Sequence, residues 1–107
     1  MMIVDVLGTK YTIENSNKMD DLNLETNDGY CDPSTKKIVI DTFKHTIDAM
    51  DDLESHRKKV VRHELIHAFL YESGLHACSF AINEELVDWI ALQFPKMQKA
   101  FEQCEVI

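Results

Sequence analysis

Apolar and polar positions alternate through the first forty residues and then change to a helical spacing. Met2-Ile3-Val4-Asp5-Val6 and Lys10-Tyr11-Thr12-Ile13, separated by Gly8-Thr9, predict a hairpin over residues 2–15. Residues 15–27 are polar apart from Met19, Leu22 and Leu24, which predicts a loop holding at most a short helical turn. A second hairpin is expected where Gly29-Tyr30-Cys31 enters the turn sequence Asp32-Pro33-Ser34-Thr35 and leaves through Ile38-Val39-Ile40. Asp41 and Thr42 end that strand.

From about residue 51 to residue 73 the spacing is helical, and Gly74 suits the position just past a helix end. At about 100° per residue, Val61, Leu65, Ile66, Phe69 and Leu70 spread over most of the circumference, the pattern of a central, buried helix. A second helix is expected to start at Ser79 or Asn83, both good N-caps, and to run through Leu86, Val87, Ile90 and Ala91 to about Phe94. Pro95 should break or restart it, leaving residues 96–104 as a last amphipathic stretch. Strands followed by helices predict an α+β fold, with a small antiparallel or mixed sheet. The 107 residues suit one domain spanning 1–107 and one modest core, which a bound metal would help to stabilise.

Composition narrows the classes of function. Hydrophobic residues make up 45% and charged residues 28%, too apolar for a disordered chain. A net charge of −8 repels phosphate backbones and anionic membranes, so direct nucleic-acid and membrane partners are not expected. Arg57, Lys58 and Lys59 form the only basic cluster and read as one exposed helical turn. Cys31, Cys78 and Cys104 are odd in number and lack CxxC spacing, which fits a reducing cytoplasm rather than a disulfide framework. The apolar start at residues 1–6 is too short for a signal peptide or a membrane span, so a cytoplasmic location is expected.

The chemistry concentrates in His63-Glu64-Leu65-Ile66-His67. Two histidines four apart lie one turn apart on the same helical face, so both rings can reach one cation. Glu64 sits one position round, beside the metal rather than on it, where it can take a proton from an activated water. These three are the polar stripe of a helix otherwise apolar through Val60, Val61, Leu65, Ile66, Ala68, Phe69 and Leu70. Burying them unpartnered costs on the order of 1–3 kcal/mol per group, and a coordinated cation removes that cost.

A catalytic zinc takes three protein ligands and keeps a fourth position for water. Candidates for the third are Cys31, Cys78, His45, His76, Glu84, Glu85 and Asp88. Helical geometry favours the carboxylates: Glu84, Val87, Asp88 and Ala91 share one face, and Val87 and Ala91 are small enough for close packing on the first helix. Glu84 is then the ligand, with Glu85 as its rival, and Asp88 holds the free ring nitrogen of one histidine. The bland alternative is that Glu84 and Glu85 only favour the helix N-terminus.

The stretch Val60-Val61-Arg62-His63-Glu64-Leu65-Ile66-His67-Ala68-Phe69 resembles the extended signature of zincin metallopeptidases. Glu84-Glu85-Leu86-Val87-Asp88-Trp89-Ile90-Ala91 is similar to the glutamate-bearing helix of ImmA/IrrE-like, gluzincin-type peptidases, among them small proteins of phages and mobile elements. Val87 and Ile90 depart from that family's small and aromatic residues. The resemblance covers about residues 36–94 and implies a minimal zincin-like domain, with Ile38-Val39-Ile40 as the edge strand. It implies Zn2+ held by His63, His67 and Glu84, Glu64 as the catalytic base, and a protein or peptide substrate, a repressor being one candidate. An extended substrate would add to strand 38–40, unless that strand is an inner one. Tyr30, His45, Tyr71 and His76 are candidate donors to the oxyanion. The alternative function is a catalytically inactive zinc-binding interaction domain, a pseudo-peptidase or phage regulatory protein.

Overall fold

The computed structural model describes residues 1–43, 52–78 and 82–107. Strand β1 (Met2–Val6) turns through Leu7-Gly8 into β2 (Thr9–Ser16). Both turn residues have positive φ, 52° and 90°, as a two-residue hairpin twisting with its strands requires. Asp5 secures the turn by accepting the Gly8 N–H at 2.8 Å. A 3-10 turn at Leu22–Leu24 precedes the second hairpin, β3 (Gly29–Asp32) and β4 (Lys37–Asp41). The Asp32 carboxylate accepts from Ser34 N at 3.0 Å and so fixes the connecting turn.

The two hairpins join into one mixed sheet of order β1-β2-β4-β3, with β2 and β4 parallel and the other pairs antiparallel. Ile13 stands beside Ile38 and Asn15 beside Ile40. The sequence reading placed Ile38-Val39-Ile40 at the edge as the resemblance implied. Instead β4 is an inner strand and β3 is the edge beside it. Val6, Tyr11, Ile13, Ile38 and Ile40 form the main core with Phe43, Val60 and Ala68. Val39 is also buried, facing away from Ile38 and Ile40 as strand pleating demands.

Helix α1 (Leu53–Glu72) starts at Asp52, whose side chain accepts from Ser55 N, and ends before Gly74 at φ 83°. It lies on β3, β4 and β1 with Val60, Glu64 and Ala68 turned inward, one residue per turn. Its opposite side is more open than an all-round apolar pattern suggested, and Phe69 is 43% exposed. Glycine makes this approach possible: a Cβ on Gly29 would sit 3.0 Å from Val60 Cγ1 and from the Val39 carbonyl oxygen.

Helix α2 (Glu84–Gln103) packs on α1 through Val87 and Ala91, both buried. Asn83 is its N-cap, accepting from Leu86 N at 3.0 Å. Ser79, the other candidate cap, lies outside the described residues. The expected break at Pro95 does not occur, and α2 runs through it for 20 residues. Proline removes the N–H that would have bonded the Ala91 carbonyl. Arg62 of α1 supplies a replacement, its Nε donating to that oxygen at 2.7 Å. No described helix is long and apolar enough to cross a membrane.

Candidate metal centre

The pitch of α1 stacks His63 and His67 on one side, with ring centroids 4.9 Å apart and an edge-to-face tilt. Their Nε2 atoms are 3.2 Å apart. The first turn of α2 brings Glu84 against both: Oε2 is 3.0 Å from His63 Nε2, and Oε1 is 2.7 Å from His67 Nε2. His63, His67 and Glu84 are the described residues whose ligand atoms gather closely enough to hold one metal ion, all within 4.8 Å of one another.

Asp88, one turn along α2, lies 3.1 Å from His63 Nδ1 through Oδ1. The same oxygen accepts from Lys59 Nζ at 3.1 Å. Burial alone would raise the Asp88 carboxyl, but the hydrogen bonds from Lys59 and His63 outweigh it and hold it below its ordinary range. In the tautomer with its proton on Nδ1, His63 donates to this carboxylate and keeps a lone pair on Nε2. That lone pair then faces the Glu84 carboxylate and the second imidazole. A cation between these groups, or the Nε2 proton of His67, would satisfy such converging acceptors. Burial lowers the pKa of His67, with Glu84 opposing, which favours the neutral ligating form.

The donor set fits zinc. Two imidazoles and a carboxylate are ligands it accepts at about 2.0–2.2 Å, which places ligand atoms about 3.3 Å apart in a tetrahedron. The 2.7–3.2 Å separations need only a small opening of the side chains to admit an ion.

Glu64 follows His63 and turns the other way, toward the sheet, where it is 8% exposed. Burial pushes its carboxyl up to about 7; the Glu84 charge adds to this and His63 opposes it. It lines the same cleft as His63, His67 and Glu84. One arm of the cleft is a cavity of about 610 Å³ with Tyr30, Cys31, Pro33, Tyr71, His76 and Ile82 on its wall. The other arm, about 280 Å³, is more polar and reaches Thr26, Asp28, Lys59 and Asp88. His63, Glu64, Glu84, Asn27 and Gly29 border both arms, so the cluster stands at the middle of an open groove.

The remaining candidates separate cleanly. Glu85 is exposed and contributes no atom to the cluster. Cys31 lines the groove, where burial, and next the Glu64 charge, push its thiol up to about 12, and it contributes no atom to the cluster. Cys78 is exposed and outside the cluster. His76 stacks against Tyr71 with ring centroids 4.6 Å apart, both on the apolar arm. The Tyr30 hydroxyl donates to Asp21. His45 lies outside the described residues.

Sequence reasoning missed Lys59, treating it with Arg57 as part of a solvated turn. Arg57 donates to Asn15 Oδ1 at 3.0 Å, and Lys59 holds Asp88. The signal was available for Lys59, which precedes His63 by one turn as His63 precedes His67. Gly29 was read only as a strand start, and its part in admitting α1 depends on contacts distant in sequence. The chain matches no family model, no curated protein and no solved structure.

Proposed function

We propose that the protein is a zinc-dependent metallopeptidase of minimal zincin-like form. The observation that carries this reading is the convergence of His63, His67 and Glu84 beside the buried carboxyl of Glu64 in an open groove. The HExxH signature and the glutamate-bearing second helix supply these four residues.

When bound, such an ion supplies Lewis-acid polarisation of a carbonyl and a lowered pKa for water. The chain's own groups do the rest. Glu64 would accept a proton from the attacking water and return it to the leaving amine. Asp88 and Lys59 hold the His63 ring in orientation. Tyr71 and His76 are the polar-tipped side chains on the apolar arm nearest in kind to an oxyanion donor. An extended peptide would add to β3, because Gly29, Tyr30 and Cys31 line the groove and β3 is paired on one side only, with β4. Strand 38–40 has no such role, since both its sides are paired.

The substrate is proposed to be a protein or peptide, a repressor being one candidate, and the site of action the cytoplasm. The test is hydrolysis of an unstructured protein substrate by the zinc-loaded chain. Glu64→Gln should keep its zinc and lose cleavage by a hundredfold or more, as removal of a general base does at roughly 10²–10⁴-fold. Full zinc binding with no cleavage of any peptide by the wild type would instead support the inactive, partner-binding alternative.

A further inference from the structure

A cavity of about 420 Å³ lies between α1 and α2 and shares only Lys59 with the groove around the metal cluster. Its α1 wall is Ser55, His56, Lys58, Lys59 and Arg62, and its α2 wall is Leu92 and Pro95. Basic side chains dominate this lining and none is acidic, in a chain whose net charge is −8. Helical pitch explains the clustering. At about 100° per residue, Lys58, Lys59 and Arg62 fall on one side of α1, whereas Arg57 is turned away and donates to Asn15 of β2.

Two of the basic groups are already engaged. Lys59 Nζ pairs with Asp88 at 3.1 Å, and His56 Nε2 lies 2.8 Å from Asp28. Lys58 and most of Arg62 are not. Among the described residues, Lys58 has no ion pair or hydrogen bond, and Arg62 uses only its Nε, on the Ala91 carbonyl. That bond anchors the guanidinium and leaves its two Nη groups as an unengaged fork, a donor geometry that fits phosphate oxygens. Lys58 stands one turn before Arg62 on the same face, so its ammonium can reach the same ligand. Asp52, at the N-terminal end of α1, is occupied by the Ser55 N–H at 3.0 Å.

Two uncompensated cations match a dianion. The volume exceeds what a phosphate ion alone fills and lies in the small-molecule range of roughly 300–1,000 Å³. Leu92 and Pro95 offer an ion nothing, but they can cover the organic body of an ester. The net negative charge of the whole chain repels polyanions and anionic membranes, which selects one small ligand over a nucleic-acid backbone. We propose that this cavity binds a small phosphate monoester, with Arg62 and Lys58 on the phosphate and Leu92 and Pro95 against the organic part. The site is independent of the metal reading.

Amide chemical shifts of the full chain, titrated with phenyl phosphate, test the proposal, and the same spectra show that each variant is folded. The shifts should saturate with a Kd of about 1 mM or tighter and centre on residues 55–62 and 92–96. Phenyl sulfate, of the same shape but singly charged, and inorganic phosphate, which lacks the ring, should each bind several-fold more weakly. Lys58→Glu should weaken phenyl phosphate by about tenfold or more. Arg62→Lys should do the same, because one ammonium cannot replace the fork while bonded to Ala91. Lys10→Glu, an equal change of net charge on the exposed start of β2, should alter binding little. Binding that does not saturate overturns the proposal, as do shifts centred on His63, His67 and Glu84. So does a Lys10→Glu loss equal to that of Lys58→Glu, or equal affinity for phenyl sulfate or inorganic phosphate.

Discussion

Arg62 Nε donates to the main-chain carbonyl of Ala91 at 2.7 Å, four residues before Pro95. The contact repairs the gap that proline opens in α2 and ties the two helices together at the residue before His63. Arg62→Met should therefore cost about 1–2 kcal/mol, because it leaves a carbonyl without its donor. In a Pro95→Ala background the helix regains its own N–H, and the same substitution should cost distinctly less. A double-mutant cycle by urea denaturation measures the difference; equal costs in both backgrounds would show that the contact does not serve the proline gap.

Asp88 should matter to metal affinity without touching the metal. Asp88→Ala frees His63 Nδ1 and leaves Lys59 without its partner, so zinc affinity should fall by about 10–100-fold. Competition with a chromophoric chelator reads this directly. An unchanged affinity would remove Asp88 from the account of the site.

Much of this site was legible in the sequence, and the rest depended on distant contacts. The His63–His67 spacing and the shared face of Glu84 and Asp88 follow from helical geometry within twenty-six residues of chain. Both hairpins also announce themselves locally, through Gly8 and through Asp32-Pro33. The inner position of β4 was not legible, because it rests on parallel pairing with β2 across an intervening loop and strand. Pro95 misled for the same reason, since its compensation comes from Arg62, thirty-three residues earlier. The apolar residues of α1 gave no direction for its buried side, which was set by the sheet and by the space that Gly29 leaves.

Gly29→Ala tests that last point. The added methyl would meet Ile40 Cδ1, Val60 Cγ1 and the Val39 carbonyl oxygen at 3.0 Å. The two side-chain atoms can yield, while the backbone oxygen can do so only by moving β4. A loss of about 1–3 kcal/mol is expected from thermal or urea unfolding. A stability equal to wild type would mean that α1 and β3 are less closely fitted than described.

Burial of Glu64 should make the metal-free protein pH-dependent in a defined direction. Its folded pKa, about 7, lies above the ordinary carboxylate value, so its contribution is fully present below about pH 4.5 and is lost as pH rises through 7. Glu64→Gln removes that loss. The metal-free variant should gain on the order of 2 kcal/mol over wild type at pH 8 and little at pH 4. Unfolding curves at the two pH values decide it, and a variant no more stable at pH 8 than at pH 4, relative to wild type, would contradict the environment assigned to Glu64.

The most direct test of the central claim is zinc stoichiometry by elemental analysis after dialysis, on the wild type and on His63→Ala, His67→Ala and Glu84→Ala. The expected result is about one zinc per wild-type chain, sharply reduced in each of these three variants, with Glu85→Ala retaining it. A wild type that holds no zinc, or a Glu84→Ala variant that binds as tightly as the wild type, would contradict it.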